Sequence, residues 1–107
     1  MLKKDQRLTA HQFDLVYEHG TDLAVPIGRL RVLYGKTGKK LSCTVSSSEV
    51  KTSVARTRIR RRGYEAVRAH LAEFPESTWA IWFLPPKTKT VDFSNLSAAF
   101  REAVTKL

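Results

Sequence analysis

Residues 51–63 read KTSVARTRIRRRG and combine one apolar helical side with a cluster of arginines. At about 100° per residue, one side of the predicted helix is formed by Ala55, Ile59, Gly63, Ala66 and His70. This side is expected to pack inward. Because Gly63 stands one turn after Ile59 and has no side chain, the helix is expected to lie close to a sheet.

The arginines surround the rest of this helix, at Arg56, Arg58, Arg60, Arg61 and Arg62. A guanidinium group is planar, always charged and able to donate to two phosphate oxygens at once. The alternative is a solvated face balanced by acidic neighbours, but only Glu49 and Glu65 lie near the cluster in the sequence. The stretch therefore favours a helix that binds a polyanion, with Lys51 adding a further charge before it.

The whole chain shares this excess of positive charge. Its 107 residues include 19 Lys and Arg against 10 Asp and Glu, a formal net charge of +9. This length predicts one domain over residues 1–107, and a hydrophobic content of 42% is enough for a core. Nucleic acid is the expected partner. An anionic membrane surface is the rival, and it is weakened by the lack of any apolar run of about 18 residues. A protein oligomer is not expected.

The cysteine content and the first residues favour a cytoplasmic protein. Cys43 is the only cysteine, so it cannot form an internal disulfide, and a small buried apolar role is expected for it. Residues 1–5 lead into a polar stretch rather than into the apolar core of a signal peptide.

Hydrophobic periodicity predicts the element order αβββαβα. Thr9 is a predicted N-cap, and Gly20 is the predicted end of the first helix. The other predicted elements are an edge strand or bend at 23–25, strands at 29–34, 40–46 and 79–84, a helix at 53–71 and a last helix that begins at Asp92 or Ser94. Trp79 and Trp82 are expected to pack in the core on opposite sides of their strand. Helices interleaved with strands of one sheet predict an α/β (α+β) two-layer sandwich.

The segment Arg56-Thr-Arg-Ile-Arg-Arg61 resembles the arginine-rich signature of the bacterial ribonuclease P protein family. That signature is normally Arg-Asn-Arg, an aliphatic residue, Lys or Arg, and Arg. Other parts of the chain match the family in order: Arg7-Leu8, the first helix with Phe13 and Tyr17, Val32 to Tyr34, Trp79 to Leu84 followed by Pro86-Lys87, and Phe93. The sequence departs from the family pattern at Thr57, which replaces the Asn, at Ser47-Ser48-Glu49, which replaces a lysine pair, and at Lys51, which replaces a Gly.

The resemblance implies a fold and a role. The fold is that of the ribonuclease P protein and ribosomal S5 domain 2, with a left-handed βαβ crossover that carries the arginine helix. General principles favour the right-handed form, so the hand rests on the resemblance alone. The implied role is that of a non-catalytic protein subunit of a ribonucleoprotein endoribonuclease. It would bind a catalytic RNA and the 5′ leader of precursor tRNA, while the RNA, with Mg²⁺ bound mainly to it, performs the cleavage.

The resemblance also implies two sets of site residues. The RNA-binding set is Lys51, Arg56, Arg58, Arg60, Arg61 and Arg62, and the leader-binding cleft is lined by Phe13, Tyr17 and Tyr34. Core packing is the alternative for the aromatic residues. No catalytic or metal-binding residue is predicted in the chain itself, because its acidic residues are scattered and its three histidines lack metal-ligand spacing.

Two other functions compete with this interpretation. One is a general RNA-binding module, such as a ribosomal-type protein or an RNA chaperone, on a similar fold. The other is a protein-only nuclease, which the scattered carboxylates disfavour.

Overall fold

The computed structural model describes residues 2–107, so the predicted domain start at Met1 lies outside the described residues. The helices are α1 (Ala10–His19), α2 (Ser53–Ala69) and α3 (Phe93–Thr105), and the strands are β1 (Thr21–Ala24), β2 (Arg29–Tyr34), β3 (Lys39–Thr44) and β4 (Thr78–Phe83). Short 3-10 turns cover Lys4–Gln6, Leu71–Glu73 and Pro86–Lys89. The predicted order αβββαβα is confirmed.

The four strands form one mixed sheet in the order β1-β2-β4-β3. Strand β2 is antiparallel to both β1 and β4, whereas β3 is parallel to β4. The chain therefore leaves β3, crosses through α2 and returns as the parallel neighbour β4, which is the βαβ unit that the resemblance implies. The left hand of this crossover stays a prediction.

Helices cover both faces of the central strand β4. Trp82 is buried on the face that packs against α2 and α3, with Leu30 from β2 and Leu41 from β3. Trp79 is buried on the opposite face, in a cluster with Val16 of α1. Each indole nitrogen donates to a backbone carbonyl, at 2.9 Å in both cases. The two tryptophans are thus core residues on opposite sides of the strand, as predicted. The main helical layer is α2 and α3, and α1 covers part of the other face.

The ends of α1 lie where the sequence predicts them. The Thr9 hydroxyl accepts from the backbone N–H of Gln12 at 3.2 Å, and the Gln12 side chain accepts in return from the Thr9 N–H at 2.8 Å. These two bonds form a capping box, which satisfies N–H groups that the helix leaves free. At the other end, a Cβ on Gly20 would lie 2.5 Å from the Val16 carbonyl oxygen, so only glycine fits there.

The predicted inward side of α2 is confirmed at its centre. Ile59, Gly63 and Ala66 are buried, while Ala55 and His70 at the two ends are half-buried. The buried side is wider than predicted, because it also includes Tyr64 and Val67. The Tyr64 hydroxyl accepts from the backbone N–H of Cys43 in β3, at 3.2 Å. This bond links α2 to one edge of the sheet.

At Gly63 the backbone of α2 lies close to the rest of the core. An ideal Cβ on Gly63 would lie 2.5 Å from Leu84 Cδ1 and 3.1 Å from Cys43 Sγ. Cys43 itself is buried, and burial raises the pKa of its thiol above the ordinary value. The expected role of Cys43 as a small apolar core residue is confirmed.

Gly63→Ala should therefore destabilise the fold although alanine is the better helix former. We expect the free energy of unfolding to fall by about 1–2 kcal/mol, because the cost of overpacking exceeds the gain in helix propensity. The midpoint of urea unfolding measures this loss. In a Leu84→Ala background the same substitution should lower the free energy of unfolding by less than half as much, since the added methyl group then has space. Equal costs in the two backgrounds would contradict the steric explanation.

Candidate nucleic-acid interface

Three of the five arginines between Arg56 and Arg62 are half-buried and bonded within the protein. Arg56 donates to the Val50 carbonyl at 2.8 Å, which ties the start of α2 to the turn before it. Arg62 donates to the Val91 carbonyl, which ties α2 to the segment before α3. Arg60 donates to the Thr57 hydroxyl at 3.2 Å. These three residues belong to the predicted RNA-binding set, but here they brace the helix.

The Thr57 hydroxyl is engaged within the same helix. It donates to the Ser53 carbonyl at 2.9 Å, one turn earlier, and accepts from Arg60. The residue that replaces the Asn of the arginine signature therefore orients a neighbouring arginine instead of extending its polar group into solvent.

Arg58 and Arg61 are exposed on α2, and Lys51 is exposed just before it. Within residues 2–107, no ion pair involves any of these three side chains. The nearby acid Glu65 pairs with Arg68 instead, at 2.7 Å. The exposed cations of this surface therefore lack a carboxylate from the described part of the chain, and phosphate groups fit such a surface.

A groove of about 560 Å³ runs along this helix surface. Arg58, Arg61 and Arg62 line it together with Lys89, which comes from the turn at Pro86–Lys89 packed against α2. Lys89 was not predicted from the sequence, because nothing in its local pattern shows that a residue so far along the chain lies beside the arginines. We call Lys51, Arg58, Arg61 and Lys89 the α2 surface.

A row of three aromatic rings lies on the opposite face of the sheet. Phe13 and Tyr17, one turn apart on α1, are stacked with ring centroids 6.4 Å apart and planes 13° apart. Tyr17 meets Phe83 of β4 edge-on, with centroids at 6.3 Å. Phe13 is half-buried against the Trp79 cluster, whereas the Tyr17 side chain is 55% exposed. The row therefore presents aromatic surface to solvent while it packs on the sheet. We call these three residues the aromatic row.

Two arginines of β2 flank the aromatic row. The Arg29 guanidinium carbon lies 4.4 Å from the centroid of the Phe83 ring. Arg31 donates to the Tyr17 carbonyl at 2.7 Å and to Asp22 at 2.9 Å, so it fixes the end of α1 on the sheet. Aromatic rings beside cations suit an unpaired nucleic-acid strand, because bases stack on the rings and cations contact the backbone. Neither arginine was predicted from the sequence as a site residue, although their alternation with the buried Leu30 and Val32 indicates this face.

Tyr34 does not join the aromatic row, so its place in the leader-binding cleft stays a prediction from the resemblance. Side chains alternate along a strand, so Tyr34 lies on the same face of β2 as the buried Leu30 and Val32. That face packs against α2 and α3, whereas Tyr17 lies on the other. Tyr34 stands at the strand end and is 52% exposed there. The structure thus brings Phe13 and Tyr17 together and places Tyr34 elsewhere.

His70 has its Nε2 atom 2.6 Å from the Ser97 hydroxyl and so links α2 to α3. Within residues 2–107, no three His, Cys, Asp or Glu side chains gather in an arrangement suited to a metal ion. No helix in the same part of the chain is long and apolar enough to cross a bilayer.

Comparisons with known proteins agree with this architecture. The structure superposes on the RNase P protein of Staphylococcus aureus with a TM-score of 0.73 and 18% identity, covering 94% of this chain and 93% of that one. It superposes on the RNase P protein of Thermotoga maritima with a TM-score of 0.79 and 17% identity, covering 94% and 96%. At this identity the likeness shows the fold. No curated protein sequence matches.

The comparison with a family profile covers more of the chain than these two superpositions do. The sequence profile of the family described as Ribonuclease P matches residues 2–107. The match includes the arginine helix, the aromatic row and the β2 arginines. Since it spans every residue that the structure describes, the chain belongs to the Ribonuclease P family.

Proposed function

We propose that this chain is the non-catalytic protein subunit of a ribonuclease P. It binds the catalytic RNA through the α2 surface and the 5′ leader of precursor tRNA along the aromatic row. The family match over residues 2–107 is the observation that carries this proposal. The presence of two chemically different surfaces on opposite faces of one sheet supports it.

The α2 surface suits a folded RNA. Such an RNA presents phosphates in a fixed arrangement, and the exposed Arg58 and Arg61 have no carboxylate partner within residues 2–107 that would compete. The bonds of Arg56 and Arg62 to backbone carbonyls hold the helix in place before RNA arrives. Less ordering is then needed on binding, which favours affinity.

The aromatic row suits the leader because the leader is single-stranded. Its bases are free to stack on the exposed Tyr17 ring, with little dependence on their identity. Arg29 lies over the Phe83 ring and is exposed, so it is placed to contact the phosphate of a stacked nucleotide. Mature tRNA lacks the leader and would not contact this face.

Cleavage itself is assigned to the RNA partner, in the cytoplasm, with Mg²⁺ held mainly by the RNA. When bound, the metal would activate water and stabilise the leaving oxygen. The side chains of this chain bind the two RNAs and orient the leader. They take no part in bond breaking in this proposal.

The first test is cleavage of precursor tRNA at low Mg²⁺ with the protein alone, the cognate catalytic RNA alone, and both. We expect cleavage to need the RNA and to be strongly accelerated by the protein, because its cations offset repulsion between two polyanions. Cleavage by the protein alone would indicate a protein nuclease. RNA activity unchanged by the protein would indicate a general RNA-binding module.

The second test is the salt dependence of binding to the catalytic RNA. Arg58→Ala with Arg61→Ala should reduce the log–log salt slope by roughly one unit per lost phosphate contact. Arg68→Ala is the matched control, because Arg68 is exposed on the same helix but pairs with Glu65. A slope lowered equally by the control and by the double variant would contradict a specific role for the α2 surface.

The third test compares precursor and mature tRNA as ligands of the reconstituted holoenzyme. Tyr17→Ala should weaken precursor binding by about 1–3 kcal/mol, the usual worth of stacking one base, and leave mature tRNA binding unchanged. Tyr34→Ala is the control, since Tyr34 is similarly exposed on the other face. A precursor-specific loss in Tyr34→Ala alone would return Tyr34 to the cleft and exclude Tyr17.

A further inference from the structure

A small pocket of about 280 Å³ opens at one end of the aromatic row, where β2 begins and β4 ends. Arg29 and Phe83 form one wall, and Ser46 and Glu49 come from the turn that follows β3. Gly28 lines it too, and a Cβ there would lie 2.1 Å from the Phe83 carbonyl oxygen. The pocket thus combines an aromatic ring, a cation and a carboxylate within a space suited to one planar base.

The turn that carries Glu49 is held by its own hydrogen bonds. The backbone N–H of Val50 donates to the Ser46 carbonyl at 3.0 Å, and the hydroxyls of Ser46 and Ser48 lie 2.7 Å apart. Arg56 donates to the Val50 carbonyl and ties the turn to α2. Glu49 therefore projects from an ordered turn and not from a loose loop.

The Glu49 carboxylate has no ion pair or hydrogen bond with any side chain in residues 2–107. Arg29, the cation of the same pocket, has its carboxylate partner in Asp22 instead, at 3.7 Å. In a chain with a net charge of +9, a carboxylate beside the proposed path of an RNA strand lowers affinity for phosphate. Hydrogen-bond donors on a base would offset this loss of affinity.

We propose that this pocket takes one base of the leader and that Glu49 selects guanine there. The inference rests on the proposed function, because it requires the leader to lie along the aromatic row. The base stacks beside Phe83, Arg29 contacts its phosphate, and the two carboxylate oxygens of Glu49 accept from the Watson–Crick edge. Glu49 thus acts as a specificity residue on a surface that otherwise stacks any base.

Guanine fits because of the order of donors along its edge. It presents N1–H and the N2 amino group side by side, so both carboxylate oxygens receive a hydrogen bond. Adenine and cytosine each place an acceptor nitrogen next to their amino group, and uracil has one N–H between two carbonyls. Each of these bases would set an acceptor against the carboxylate. The carboxylate therefore discriminates both by attraction and by repulsion.

The test uses the reconstituted holoenzyme and precursor tRNA with a randomised leader. Sequencing the bound and free pools gives the preference at each leader position. For the wild-type chain we expect guanine to be enriched over adenine about tenfold at one position, the scale of one bidentate contact. Glu49→Ala should remove the enrichment. Glu49→Gln should shift it towards adenine and cytosine, because an amide supplies one acceptor and one donor.

The matched control is Glu76→Gln, which makes the same charge change at an exposed glutamate between α2 and β4. It should keep the guanine preference. The affinity of each variant for mature tRNA and its thermal unfolding show that the fold is intact. These measurements matter because loss of selection must be separated from loss of structure.

The outcomes separate this inference from the function on which it rests. If the holoenzyme binds precursor more tightly than mature tRNA but shows no guanine preference, the base pocket is overturned and the proposed function stands. A guanine preference that survives Glu49→Ala also overturns the role of Glu49. Equal affinity for precursor and mature tRNA in the wild-type holoenzyme overturns the leader site and the pocket together.

Discussion

At Gly63 the backbone of α2 lies against Leu84 and Cys43 with no space for a methyl group. This close contact sets the rotation of the helix about its own axis, because only one side of α2 has a residue that fits there. Once Gly63 faces the sheet, Arg58 and Arg61 must face solvent, since they lie on other sides of the same helix. The charge pattern of the α2 surface is therefore a consequence of core packing.

The same rotation divides the arginines into two groups. Arg56 and Arg62 lie at the border of the buried side, where their guanidinium groups reach backbone carbonyls of neighbouring segments. Hydrogen bonds from a charged donor are strong ones, and they connect α2 to its surroundings on two sides. A basic sequence cluster thus contains both arginines that are bonded within the fold and arginines that are exposed to solvent. All of them are arginines in one short segment, so residue type does not distinguish the two groups. The position of each residue around the helix does.

Local patterns predicted the elements well and their arrangement less well. The strand at 29–34 and the start of α2 were predicted at their observed positions, because alternation, capping residues and glycines act over short distances. The strand order could not be derived this way, since it depends on pairings between distant residues. In the candidate site, the resemblance grouped Tyr34 with Phe13 and Tyr17, whereas strand alternation places it on the same side of β2 as Leu30 and Val32. Phe83 was missed because a continuous apolar run does not show which residue reaches the surface.

The position of β4 in the middle of the sheet has a consequence for how the chain is made. Strands β2 and β3 follow each other in sequence but do not pair with each other, since β4 lies between them and pairs with both. During synthesis from the N-terminus, the sheet cannot close until the segment around Trp82 has left the ribosome. The basic segment of α2 therefore emerges before its packing surface is complete. Folding is then a late and cooperative event, and until it occurs the nascent chain carries unpaired strand edges beside its highest density of positive charge.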